Sequence, residues 1–162
     1  MTGYGQGSPY LRGFTGYQTL MLIDGIRLNN SVFRSGPNQY WSTVDPFSIE
    51  RLEIVRGPSS VLYGSDAIGG TANAFTRGPT TWGDGFQHAE SLYYRFASAD
   101  TSDALRAELS ATWGRTTGIL MGADGKWYDD VSGGEDIGTQ ENTGYDEWAG
   151  DVKLEHFLGA KT

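Results

Sequence analysis

From Ala104 to Trp113 the chain alternates without a break, with Leu105, Ala107, Leu109, Ala111 and Trp113 on one side and Arg106, Glu108, Ser110 and Thr112 on the other. A period of two residues belongs to an extended strand with two unlike faces and cannot be carried by a helix, whose faces repeat every 3.6 residues. The pattern recurs around Leu92, Tyr94 and Phe96 against Ser91, Tyr93 and Arg95. It is weaker from Gly118 to Tyr128, and returns where Val152 and Leu154 oppose Asp151, Lys153 and Glu155. This half of the chain is therefore antiparallel β-structure. The longest apolar run anywhere, Leu20 to Ile23, falls far short of the roughly 20 residues that a spanning helix needs, so only strands could cross a membrane. Segments of about ten residues suit a tilted transmembrane strand, with Tyr, Trp and Phe near strand ends as an interfacial girdle. A soluble sandwich alternates in the same way, and periodicity alone serves both.

Before Gly78-Pro79-Thr80-Thr81 the texture differs, with short apolar runs broken by Gly, Pro, Asn and Asp, as in a compact mixed domain. Thr19 to Ile23 reads as a strand, and Asp24-Gly25 as a hairpin turn into Ile26-Arg27-Leu28. Val44-Asp45-Pro46 can open a short helix, Ile49 to Arg56 reads as helix and then strand, and Pro58 to Tyr63 as a second short helix stopped by Gly64. The 24 glycines and 13% aromatic content favour turn-rich β-structure, and the regular aromatics argue against disorder. A net charge of −8 repels polyanions, so no nucleic-acid partner is expected. Without cysteine there is neither a disulfide framework nor a thiolate metal site.

Several elements in order resemble the plug of TonB-dependent outer-membrane receptors. Leu11-Arg12-Gly13-Phe14 resembles the plug's Ile-Arg-Gly element, MLIDGIRL (21–28) its Asp-Gly strand, and Ile49 to Gly57 its Arg-Gly-Pro element. SSVLYGSDAIGG (59–70), followed by TANAFTR (71–77), resembles the end of the plug, with Thr71-Ala72-Asn73-Ala74-Phe75 departing from the family's apolar version.

The resemblance implies an α+β plug, a small mixed sheet with short helices, followed by antiparallel strands of a transmembrane β-barrel, the chain being a fragment of a 22-stranded barrel. Residues 1–78 would be the C-terminal half of the plug, 79–87 a linker, and 88–162 about four barrel strands, with Ser132 to Gly144 an extracellular loop between the third and fourth. The plug's first half and the TonB box are expected to lie outside it. Such receptors are transporters rather than enzymes, in the outer membrane of Gram-negative-type bacteria. They take up a metal-chelate or vitamin ligand (siderophore-iron, haem, cobalamin or similar) with energy from the TonB complex. Outer-membrane lipid surrounds the barrel, and no cofactor is implied. The competing reading is a soluble or periplasmic β-rich binding domain with plug-like motifs.

The same resemblance makes Arg12, Glu53 and Arg56 a plug–barrel ionic lock, where the plain alternative is solvated strand charge. It makes the loop 29–41 a ligand-contacting apex through Phe33, Arg34, Asn38, Gln39, Tyr40 and Trp41, unless Tyr40 and Trp41 pack against the barrel interior. Gly3-Tyr4-Gly5-Gln6-Gly7 neither follows a strand nor opens a helix, so it is no phosphate cradle. His88 and His156 stand apart, the acidic stretch from Asp124 to Asp136 lacks calcium-loop spacing, and no nucleophile–base–acid set can be assembled.

Overall fold

The structure is a computed structural model that describes residues 7–28, 40–98, 101–133 and 137–159. It divides into two compact units, Met1–Thr76 and Arg77–Thr162.

The first unit is built on a mixed sheet of four strands, β1 (Thr19–Ile23), β2 (Ile26–Arg27), β3 (Ile49–Arg56) and β4 (Gly70–Thr76), in the order β2-β1-β4-β3. β1 and β4 run parallel and the other pairs antiparallel. A strand inside a mixed sheet has neighbours on both edges and cover on its faces, which is why Leu20, Met21 and Leu22 form a continuous apolar run and are all buried. Leu20 and Leu22 pack with Ala67, and Tyr63 closes against them.

The Asp24-Gly25 hairpin forms as expected, with φ of +49° and +80°, the two positive values that a tight two-residue β-turn requires. The turn also grips the end of β4. Gly25 N–H donates to Asn73 Oδ1 at 3.2 Å, and Thr76 N–H donates to Asp24 Oδ1 at 2.9 Å. Asn73, a polar residue in a strand position that looked too polar to pack, is buried because it satisfies that turn.

One expected element is different. Ile49 to Arg56 is strand throughout, paired with β4 from Ile49 opposite Thr76 to Arg56 opposite Gly70, with an irregularity between Ile49 and Arg51. The helical turn ends earlier, at Pro46–Ser48, where the Asp45 carboxylate accepts from Phe47 N–H at 3.2 Å and Ser48 N–H at 3.0 Å. The charges of IERLEIVR suggested a helix surface, but the backbone pairs with β4 and the side chains stay exposed on a sheet edge. The second short helix, α1 (Ser60–Tyr63), ends at Gly64 with φ +82°. Arg27 ties it down, donating to Tyr63 O at 3.1 Å and pairing with Asp66 at 3.4 Å.

The turn at Leu11–Phe14 closes with reciprocal backbone bonds of 2.9 and 3.0 Å and lies against Gly69 and Gly70. A Cβ on Gly69 would come within 2.4 Å of Phe14 Cβ, and one on Gly70 within 2.5 Å of Val55 O. The Arg12 guanidinium lies 3.0 Å from where a Cβ on Gly57 would sit. The arginine turn, the Gly-Pro step and the terminal glycine pair, dispersed in sequence, thus meet at one place.

The second unit is an antiparallel meander of four twelve-residue strands, β5 (Phe86–Ala97), β6 (Ser102–Trp113), β7 (Thr117–Tyr128) and, after a small hairpin of β8 (Val131–Ser132) and β9 (Thr139–Gln140), β10 (Tyr145–His156). Their order is β10-β7-β6-β5. β5 and β10 each begin about six residues before their clearest alternation, because the backbone ladder continues where the side-chain contrast fades.

Gly69→Ala or Gly70→Ala should destabilise the first unit by about 1–3 kcal/mol through overpacking against backbone and Phe14, whereas Gly7→Ala, which meets nothing within 4 Å, should be near neutral. Denaturant midpoints of the three variants check this.

Candidate functional site

The four-stranded sheet is buried on its polar face and open on its apolar one. Arg106, Ser102, Ser110 and Thr112 on β6 and Asp124 and Lys126 on β7 are all buried, while Leu92, Trp148, Val152 and Leu154 on the other side are 74, 72, 69 and 68% exposed. A water-soluble sheet packs the opposite way round. A barrel wall in a bilayer has this arrangement, apolar toward lipid and polar toward the lumen.

Aromatic residues mark both ends of the apolar face. Phe86 and Trp113 meet at 5.5 Å at the end of the short β6–β7 turn, and Trp127 and Trp148 meet edge to face at 5.3 Å toward the other end, with Tyr94 and Phe96 in neighbouring rows. Phe86 and Tyr94 are separated by about 26 Å along the strand at ~3.3 Å per residue, or roughly 20 Å of depth at the usual tilt, close to the apolar band of an outer-membrane barrel. Leu109, Ile119, Met121, Val152 and Leu154 fill the space between.

The polar face carries an ion network across three strands. Arg106 pairs with Glu108 at 3.0 Å on its own strand, with Asp124 at 3.2 Å on β7, and with Asp151 at 2.8 Å on β10. Lys126 pairs with Glu147 at 2.8 Å and Asp124 at 3.5 Å, and Arg77 reaches Glu108 at 3.4 Å. Room for the flat guanidinium comes from Gly122, where a Cβ would stand 2.1 Å from Arg106 Nη2. Beside this network the segment before β5 lies on the same wall. Thr80 N–H donates to Ser110 Oγ at 3.1 Å, Trp82 meets Phe157 at 5.3 Å, and Pro79 and Trp82 occupy the space left by Gly118. The alternation had placed Arg106 and Glu108 on one face. The register that brings Asp124 and Asp151 to them carried no separate sequence signal.

Of the expected ligand-contacting residues, Phe33, Arg34, Asn38 and Gln39 lie outside the described residues. Tyr40 opens a short helical turn, Tyr40–Thr43, and Trp41 within it is half-buried. Of the three charges assigned to an ionic lock, Arg12 is brought beside the Arg56–Gly57 step and both arginines are exposed. Glu53 stands three residues from Arg56 on β3, hence on the opposite face, and pairs instead with Arg51 at 2.9 Å, whose guanidinium lies 3.9 Å over the Phe75 ring.

The β7–β10 connection is closed by Asp130, whose Oδ1 accepts from Gly144 N–H at 2.7 Å and Thr143 N–H at 2.8 Å. Those donors, Gly144 foremost, hold its carboxyl below the usual aspartate range. Among the described residues no group of His, Asp or Glu side chains is arranged to hold a metal ion.

The model of the TonB-dependent receptor plug domain family matches residues 2–71. Residues 2–71 thus belong to the plug domain of TonB-dependent receptors. It is 35% identical over 113 residues to the vitamin B12 transporter BtuB of Vibrio vulnificus (strain YJ016), covering 65% of this chain and 18% of that protein. It is 38% identical over 99 residues to the iron-regulated outer membrane virulence protein of Vibrio cholerae, covering 58% of this chain and 15% of that protein. The chain spans less than a fifth of the length of these curated relatives. Among solved structures, the copper transporter OprC shares the fold with a TM-score of 0.75 at 21% identity, over 95% of this chain and 23% of that one. The ferric-catecholate import receptor Fiu from E. coli K12 matches with a TM-score of 0.52 at 26% identity, over 79% of this chain and 17% of that one.

Removing Arg106 from the receptor (Arg106→Ala) leaves three carboxylates short of their shared cation and should cost about 3–5 kcal/mol of barrel stability. Gly122→Ala should cost less, and the double variant should fall short of the sum, because both act on one guanidinium. Thermal unfolding of the three variants in detergent tests this. For Asp130, whose folded pKa is lowered, the stabilisation is complete above the unfolded value and is lost as pH falls through the lower folded one. Protection of the Thr143 and Gly144 amides, measured relative to their intrinsic exchange rates, should therefore persist at pH 5 and be lost only in acid below the ordinary aspartate range, and Asp130→Ala should remove it at every pH.

Proposed function

We propose that this chain forms the C-terminal half of a plug, up to residue 78, and the first four strands, in 88–162, of a 22-stranded barrel, with 79–87 as the connection whose end β5 enters. The whole receptor imports a scarce metal-chelate or vitamin ligand, of the siderophore-iron, haem or cobalamin kind, using energy from the TonB complex. The observation that carries this reading is the inverted burial of the four-stranded sheet. A charged network on the inner face and an apolar face framed by two aromatic rows suit a wall between lipid and an aqueous lumen, and would be unstable as an isolated sheet in water. The same inversion weighs against a soluble binding domain.

Within that reading, the loop carrying Phe33, Arg34, Asn38, Gln39, Tyr40 and Trp41 contacts the ligand with aromatic and hydrogen-bonding groups. Arg12, whose guanidinium lies beside Gly57, and Arg56, the residue before it, face carboxylates elsewhere in the receptor as a cationic pair that locks the plug. Glu53 is the weaker member of the lock, since Arg51 already engages it.

Uptake by cells expressing the full-length receptor, with and without a functional TonB, over a panel of ferric siderophores, haem and cobalamin is the direct test. The expected result is TonB-dependent accumulation of one of these, and accumulation independent of TonB would overturn the proposal. Replacing Arg34, Tyr40 and Trp41 together by alanine should weaken ligand binding at least about tenfold. Arg56→Glu should speed hydrogen exchange in the plug strands without altering exchange in β6 and β7.

A further inference from the structure

On the outward face of the four-stranded sheet, the strip between the aromatic rows carries two ionisable residues among the described ones, His88 and Glu90, both on β5. Glu90 is four residues from Phe86 and four from Tyr94, midway between the rows. Its Oε1 lies 3.5 Å from His88 Nε2, and the side chains are 68 and 56% exposed. Across the pairing with β6, Glu90 stands opposite Leu109, His88 opposite Ala111 and Leu92 opposite Ala107, so that side offers the carboxylate no donor.

A carboxylate facing hydrocarbon at mid-depth is unfavourable, and such residues in membrane proteins find a partner. The remaining approach to Glu90 is from the free edge of β5, which among the described residues pairs with β6 alone. Twelve residues of strand edge cannot leave their backbone groups facing lipid, so in a membrane another strand must cover it. The residue of that strand directly opposite Glu90 would bring its Cβ within about 5 Å on the same outward face.

We propose that His88 and Glu90 are half of a seam site. A further strand of the same receptor hydrogen-bonds the free edge of β5 and presents a cationic or hydrogen-bond-donating side chain at the register of Glu90, so that a polar clasp closes the barrel within its lipid-facing surface. The inference rests on the reading of the sheet as a membrane barrel wall, and it goes further in assigning the chemistry of the covering strand. Charge complementarity sets that chemistry: an acid flanked by an imidazole, with only apolar neighbours on β6, leaves a vacancy for a donor and none for another acid.

The test uses the full-length receptor in two measurements. Leu92→Cys, combined with single cysteines scanned along the remaining barrel strands, reports whether a strand covers the edge. Heat-induced loss of the folded barrel, followed by its shift in gel mobility, is then compared for the unaltered receptor, Glu90→Gln and Glu90→Leu. The expected result is a cross-link at one register, a lowered transition temperature for Glu90→Leu with a smaller decrease for Glu90→Gln, and recovery in Glu90→Lys when the residue opposite is changed to an acid. A cross-link together with an unchanged or raised transition for Glu90→Leu would overturn the seam site while leaving the barrel reading intact. No cross-link at any register would overturn both.

Discussion

Arg106 sets the character of the second unit. One guanidinium engages carboxylates from β6, β7 and β10, so three strands share a cation on a face from which water is largely excluded. A single cation cannot balance three anions, and the surrounding Lys126 and Arg77 supply the remaining positive charge to Asp124 and Glu108. Once that face is committed to charge, the strand period of two sends Leu92, Val152, Leu154 and Trp148 to the opposite face, where an aqueous solvent would not tolerate them together. Membrane placement thus follows from the internal electrostatics of the wall.

Glycine plays a corresponding part in both units, as space rather than as flexibility. Gly122 makes the slot in which Arg106 lies flat, Gly118 admits Pro79 and Trp82, and Gly69 and Gly70 let the Leu11–Phe14 turn sit against the sheet. In each case a methyl group would collide with an atom held elsewhere. The motifs of the plug are therefore contact points of one small assembly. The arginine turn fits onto the terminal glycine pair, and the Asp-Gly hairpin grips Asn73 and Thr76 at the end of β4.

The strands of the second unit were legible because side-chain alternation is a local property. Their ends were not, since Tyr145 to Gly150 and Phe86 to Ala89 continue the ladder with little contrast between faces. Ile49 to Arg56 misled for a related reason. Its charges suited a helix surface, and only the pairing partner, fourteen or more residues away in the chain, decides that it is a strand. Among the site residues, the approach of Arg12 to Gly57 carried no local signal, and the separation of Glu53 from Arg56 follows from strand geometry that the motif does not display.

The sequence by itself determined the class of each half: a two-residue period can only be strand, Asp-Gly between apolar runs can only be a tight turn, and the ordered arginine, glycine and proline elements identify a plug. Tertiary structure decided which charges meet. Asp124 reaches Arg106 from eighteen residues away and Asp151 from forty-five, brought there by strand register, and register is fixed by the backbone hydrogen bonds of the whole sheet rather than by any segment alone.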